Sequence, residues 1–566
     1  MPSPQENTAT TVAPAAAAAP GDDEGEDAPK PSGPEGRPEG IPGASDARTV
    51  EGEGEGSADG ARSTGGLRRT DLAVMVSSGG LLVAFVIAAL VAPGATGGAV
   101  TAASSAVGRW FGPFWQVLLL ATFGVALVLG FSRYGKVRLG AAERPEYRRF
   151  QWLAMVMCTL LAGGGVFFAA GEPVQHFIDT PPLYRGAGSG SQGAAESALA
   201  QSFAHWGFLA WAVLGTLGSI VMMRGAERGM PLRPRTLLYP LMGERVRHSK
   251  LGGLVDVICI IAVVAGTVGP IGFLGLQVSY GLSHVFGIPD GYPVQLSVIL
   301  VLTAVAVLSV VTGINKGIQF FSRLNIWLAA ALMVAFLALG SVAFVSDAFL
   351  GGFAQYVRDF VPLSLNRHDH TWLNQWTVFY FGWFLGYAPL MAIFVARISR
   401  GRTVRDLVVS SSLLAPVATM VWFTVFGGTG IFFEKSDPGS VSGPLKSSGM
   451  NAGVISIADH FPLSGVITVA LLLLTLTFVV TTTDSMSYSI AAAGTETGEP
   501  SVLVRAFWGL LMGAAAAVLI IVGEGGITAL QSFIVITAVP VGFVLLPTLW
   551  TAPRVVKEMA EEQGLM

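Results

Sequence analysis

QWLAMVMCTLLAGGGVFFAAGEP, residues 151–173, is the stretch on which the fold turns. Its first twenty residues carry no charge, and a helix of about that length crosses the hydrocarbon core of a bilayer. Similar runs recur near 72–92, 113–131, 150–170, 204–223, 253–275, 293–312, 324–346, 373–395, 408–432, 464–488, 503–523 and 526–549, the last two meeting around GEGG (523–526). The chain therefore reads as an all-α integral membrane protein with twelve transmembrane helices. Composition points the same way. Of 566 residues 52% are hydrophobic and 13% charged, about half the ~25% charged fraction a water-facing domain carries. The two cysteines, Cys158 and Cys259, lie inside apolar runs, which argues against a disulfide scaffold or a Cys-based metal site.

Loop charge supplies an orientation, because Lys and Arg accumulate on the cytoplasmic side. Arg133, Lys136, Arg138, Arg144, Arg148 and Arg149 follow span 2, and a second group from Arg224 to Lys250 follows span 4. Arg397, Arg400, Arg402 and Arg405 follow span 8, while the alternate loops hold at most two basic residues each. A multi-pass protein of the plasma membrane with both termini in the cytoplasm is expected. Residues 1–66 hold 13 acidic and 4 basic side chains, net −9, leaving +6 for the rest. Poor in large apolar residues, this segment is expected to be a disordered acidic tail. It precedes a membrane domain at 67–550 and a short tail at 551–566. The Gly/Ser-rich stretches 174–203 and 433–460 read as outer loops, and 350–362 as a short surface helix.

Carriers built from repeats often bind their solute where helices break in corresponding positions of the two halves. Two spans invite such breaks. Span 3 contains Gly163, Gly164 and Gly165 in succession with Pro173 beyond, and span 8 contains Gly382, Gly386 and Pro389. They lie five spans apart, which suggests two inverted five-helix repeats, spans 3–7 and 8–12, with spans 1 and 2 peripheral. Span 8 also gathers Phe381, Trp383, Phe384 and Tyr387 within two turns, and span 4 adds Trp206 and Trp211. Aromatic faces at mid-depth suit a quaternary ammonium, held by cation–π attraction. Intramembrane acids are functional candidates by default: Glu172, Asp256 and Asp484, the last after the hydroxyls Thr481, Thr482 and Thr483. The seven histidines lie at span ends or in loops and none forms HExxH, so neither an enzyme nor a metal site is expected. The basic residues are distributed over loops, which gives no support for nucleic-acid binding.

GWFLGYAPLMAIFVARISRGRTVRD (382–406) resembles the span-8 signature of the betaine/choline/carnitine transporter family. Supporting stretches are SRYGKVRLG (132–140), Glu172-Pro173, His205-Trp206, GINKGIQFFSRLN (313–325) and TTTDS (481–485), together running through nearly all of 72–550. The resemblance implies the inverted-repeat fold of sodium-coupled amino-acid transporters, alternating access, an onium solute such as betaine, choline or carnitine, and a homotrimer. It places an aromatic box at Trp206, Trp211, Trp383, Phe384 and Tyr387, beside the glycines of span 3. It places a sodium site at Thr481 and Thr482 with span-3 carbonyls, and a second cation site at Thr267. Sodium is the expected coupling ion and no organic cofactor is implied. A proton-coupled carrier or an exchanger is the nearest alternative, and a membrane sensor the non-transport one. Leu214 replaces a third box aromatic in span 4, and Val263 stands where a cation-binding Thr is often found.

Overall fold

The computed structural model describes residues 70–188, 190–312, 315–496 and 498–566, with side chains described there except at 158–163 and 315–320. The expected tail at 1–66 and the surroundings of Gly163 lie outside the described residues. All long elements are helices. In chain order α1 is Leu72–Val91, α2 Pro93–Phe131 and α3 Arg149–Ile178. Span 4 is built from α4 (Gln192–Trp206), α5 (Phe208–Gly215) and α6 (Leu217–Glu227). Then come α7 (Lys250–Phe286), α8 (Tyr292–Thr312), α9 (Asn315–Leu339), α10 (Val342–Arg358) and α11 (Phe360–Ser364).

Span 8 consists of α12 (His370–Gln375) and α13 (Thr377–Ile398). Span 9 strings α14 (Val404–Val409), α15 (Ala415–Phe423) and α16 (Thr429–Ser436) together through π-helical turns at Ser410–Leu414 and Thr424–Gly428. The series ends with α17 (Ser464–Ala493), α18 (Val502–Val522), α19 (Thr528–Leu545) and α20 (Thr548–Glu562). Among the described residues eleven helical stretches are long and apolar enough to cross a membrane. The remaining expected position, the third, is occupied by α3, whose 30 residues reach about 45 Å at 1.5 Å each.

Burial orders these stretches. The most apolar window of span 4 is 94% buried, that of span 8 is 89% and that of span 5 is 83%, against 28% for α1 and 17% for Phe321–Leu339. Spans 4, 5 and 8 are therefore the centre, and α1 and α9 turn most of their apolar surface outward, as a lipid-facing helix does.

The expected breaks fall elsewhere. α3 runs unbroken through Gly164, Gly165 and Pro173, and α13 runs unbroken through Gly382, Gly386 and Pro389. The glycines serve close packing instead: a methyl on Gly382 would come within 2.9 Å of the Trp115 ring. Span 4 is the interrupted one, at Gly207 (φ −97°, ψ −135°) and Thr216 (φ −116°, ψ −92°). Gly207 sits under the Phe203 carbonyl, Met420 and Tyr356, where a side chain has no room. Thr216 turns its hydroxyl back onto the Ala212 carbonyl at 2.6 Å, a bond that bends helices. Span 8 is interrupted only at its start, at Trp376 (φ −117°, ψ −82°).

Two expected loops are also largely helical. Much of 174–203 belongs to α3 and to α4, which Ser191 caps through the Ala194 amide, and 433–460 contains the short helices Ser442–Ser448 and Gly453–Ala458. Their small residues allow burial against neighbouring spans, which composition alone reads as loop. The surface helix begins at Val342, eight residues before its expected start, because Ser341 caps it through the Phe344 amide. At the end bearing the Arg-rich loops, Asp71 and Asp256 share Arg233 and Arg235 at 2.7–3.0 Å, fixing the start of α1 to α7. Residues 551–562 of the expected tail belong to α20, whose Glu562 pairs with Arg224 and Arg228.

Candidate functional site

Spans 3, 4 and 8 meet in one buried aromatic cluster. Trp206, the last residue of α4 before the Gly207 interruption, has its ring centroid 5.9 Å from Trp383, 5.4 Å from Phe384, 5.2 Å from Tyr380 and 4.9 Å from Phe423 of α15. Trp206 and Trp383 meet edge to face, the arrangement that ring quadrupoles favour. Gly164 makes this contact possible. A methyl there would overlap the Trp383 ring and come within 2.8 Å of Trp206 Cη2. Gly165 contributes its carbonyl, which accepts the Trp422 indole N–H at 3.0 Å.

Each ring is held by its polar edge. Trp383 Nε1 donates to the Gly266 carbonyl at 3.1 Å. That carbonyl is available because Pro270, four residues on within α7, has no amide hydrogen to give it. Tyr387 packs against Gly266, where a methyl would lie 2.7 Å from its ring. Its hydroxyl is 3.1 Å from Thr267 Oγ1, which itself donates to the Val263 carbonyl at 2.8 Å.

Trp206 Nε1 donates to Glu172 Oε2 at 2.8 Å, and the same oxygen accepts the Tyr380 hydroxyl at 2.6 Å. Glu172 Oε1 lies 2.7 Å from His205 Nδ1. The carboxylate is fully buried, and these charge-assisted bonds are what make its burial tolerable. With Nδ1 donating to Glu172, His205 Nε2 is left as the acceptor for Thr377 and Gln201, each at 3.0 Å. His176, one turn beyond Glu172, places Nε2 3.4 Å from Glu172 Oε1 and packs against Trp376 at 4.7 Å.

The structure thus brings together Trp206, Trp383, Phe384, Gly164 and Gly165, and joins Tyr387 and Thr267 to them through α7. Trp211 lies apart. It is on α5, beyond the interruption, and its indole donates to Thr419 Oγ1 of α15 at 3.1 Å. Thr481 is also engaged elsewhere, donating to the Thr477 carbonyl at 2.8 Å and accepting from Asn325 of α9 at 3.3 Å. Thr482, beside it, is half-buried.

Sequence reading named Glu172 only as an intramembrane acid, apart from the aromatic box, and left His205, Tyr380, Phe168 and Phe423 out of the site. A signal for Glu172 and Phe168 was present. Gly164, Phe168, Glu172 and His176 recur every four residues and share one face of α3. Phe168 fills that face, with centroids 5.3 Å from Tyr380 and 6.1 Å from both Trp206 and Trp383.

An array of fixed π faces at the meeting of membrane-crossing helices offers a cation attraction without a hydrogen bond, which suits a membrane carrier of small cationic solutes. The family model for the betaine/carnitine/choline family transporter (BCCT) matches residues 73–561, and the chain belongs to that family. It is a transporter and not an enzyme. It is 48% identical over 503 residues to glycine betaine transporter 2 of Vibrio parahaemolyticus, covering 88% of this chain and 93% of that one. It is 34% identical over 483 residues to glycine betaine transporter 1 of the same organism, covering 83% and 90%. Against the glycine betaine transporter OpuD of Bacillus subtilis it is 31% identical over 444 residues, covering 77% and 85%.

Proposed function

We propose that the chain takes up glycine betaine or a closely related onium solute, driven by a sodium gradient, through alternating access. The contact of Trp206 with Trp383 over Gly164 carries this reading. A cation within about 6 Å of both ring centroids gains from both π faces, so the two rings part from 5.9 Å to admit the onium group and close again behind it. The names of the similar Vibrio and Bacillus transporters support betaine as the solute. Thr267, hydrogen-bonded to Tyr387, supports a cation next to the box, because its hydroxyl oxygen and the Val263 carbonyl are hard oxygen donors.

The same reading takes twelve spans with both termini cytoplasmic and two inverted repeats, spans 3–7 and 8–12. The irregular helices support the repeat, since spans 4 and 9 are equivalent in it and both depart from α-geometry. A homotrimer completes it. Uptake of labelled glycine betaine into proteoliposomes, with external sodium replaced by potassium, tests the coupling. Uptake is expected to fall to background, and unchanged uptake in potassium would sink the sodium claim. Trp383→Ala is expected to abolish binding, and retained affinity would count against the box. Native mass spectrometry of the same preparation reads the trimer.

A further inference from the structure

We propose that Glu172, His176 and His205 form a binding site for a divalent transition-metal ion such as Zn²⁺. Two imidazoles and a carboxylate are an established zinc ligand set that leaves a fourth position open. One ligand atom from each of the three lies within 4.8 Å of the others, and all three residues are buried. The spacing of Glu172 and His176 puts both on one face of α3, and His205 faces them from α4. The second observation is His176 itself. Its side chain is 1% exposed, and neither ring nitrogen has a hydrogen-bond partner. Nε2 of this buried imidazole meets only Glu172 Oε1, 3.4 Å away, and with the proton on Nδ1 it offers its lone pair to an ion held between them.

Ligands about 2.0–2.1 Å from a tetrahedral zinc ion stand roughly 3.3 Å from one another. The His176–Glu172 pair is already at that separation, and the 2.7 Å His205–Glu172 pair widens by about 0.6 Å. His205 changes tautomer on binding. Nδ1 gives up its proton and ligates, Nε2 takes a proton and donates to Thr377 Oγ1, the Gln201 amide turns over to present its oxygen instead of its nitrogen, and the ring stays neutral. Glu172 Oε2 keeps its bonds from Trp206 and Tyr380, the outer-sphere support that metal ligands need. The bound ion ties α3 to α4 beside the box rings and holds them closed. This last consequence rests on the proposed transport cycle; the binding itself does not.

Co²⁺ is the probe for the site, because a four-coordinate Co²⁺ complex absorbs visibly and far more strongly than the aqua ion. The purified full chain is titrated with Co²⁺, then with competing Zn²⁺ and with Mg²⁺. One equivalent of tetrahedral Co²⁺ is expected, displaced by Zn²⁺ and not by Mg²⁺. His176→Ala and His176→Gln, both checked for a monodisperse elution profile, are expected to weaken it at least tenfold. Absence of a tetrahedral spectrum in the unaltered chain overturns the site, as does an unchanged affinity in both variants. In proteoliposomes, external Zn²⁺ is expected to inhibit betaine uptake by the unaltered chain at least tenfold more potently than by the variants. Binding without inhibition overturns the lock. Loss of betaine uptake in the absence of any metal bears on the proposed function instead.

Discussion

The indole N–H of Trp383 is bonded to the backbone carbonyl of Gly266 at 3.1 Å. Pro270 leaves that carbonyl without a helical partner, so a helix defect in span 5 fixes the orientation of a ring in span 8. Trp383→Phe keeps an aromatic face but loses both this tether and the stronger cation attraction of indole. A rise in KM for betaine of about two- to fivefold is expected, matching a loss of about 0.5–1 kcal/mol, with protein abundance unchanged. Uptake kinetics in proteoliposomes check it.

Gly164→Ala puts a methyl into the space occupied by the Trp383 and Trp206 rings. Uptake is expected to fall at least tenfold while the protein still reaches the membrane. Gly124→Ala, where a methyl meets nothing within 4 Å, serves as the control and is expected to transport normally.

Glu172→Gln replaces an acceptor-only group by one whose amide nitrogen either faces Trp206 Nε1, which can only donate, or takes the His205 side and forces that ring into the other tautomer, turning Nε2 into a donor against the Gln201 amide nitrogen. A buried donor facing a donor costs on the order of 2 kcal/mol. A lower Tm is expected in a thermal-unfolding assay, and a smaller drop for Tyr380→Phe, which removes one donor and leaves the carboxylate with the others.

Asp71 tests the charge network at the other end of the bundle. Burial pushes its carboxyl upward, but the Val74 amide and the guanidinium groups of Arg233 and Arg235 outweigh this and hold it below the usual carboxylate range. A depressed folded-state value means the group stabilises the fold above the ordinary carboxyl pKa of about 3.9, and that stabilisation is lost as pH falls through the folded-state value. Thermal stability is therefore expected to drop on acidification below about pH 4 less steeply in Asp71→Asn than in the unaltered chain. Equal slopes would remove Asp71 from the account.

Run length made the spans legible, because a crossing helix needs about twenty apolar residues whatever it packs against. Two rings of the cluster were legible for other reasons: Trp383 lies too deep in its run for an interfacial belt, and the family resemblance named Trp206 beside it. The interruptions were not. Gly163–Gly165 and Gly207 are chemically the same residue, and only the neighbours decide whether a glycine admits an indole ring, as at Gly164, or a kink, as at Gly207. The use of Pro270 in span 5 appears only once the ring that takes the freed Gly266 carbonyl is in place. Trp211 and Trp206 are five residues apart, yet the interruption between them sends one toward Thr419 and the other toward Trp383.

The two π turns of span 9 have a mechanical consequence. Each holds one residue more than an α-helical turn of the same rise, so the span carries surplus chain on both sides of Ala415–Phe423. A surplus residue turns the helix beyond it by about 100° relative to a continuous α-helix. Thr419, which holds Trp211, and Phe423, which lies against Trp206, are both in the stretch between the two turns. Span 9 thus stores one extra residue on each side of the stretch that meets span 4, so its contacts there sit in a register that a continuous α-helix of the same ends would not give.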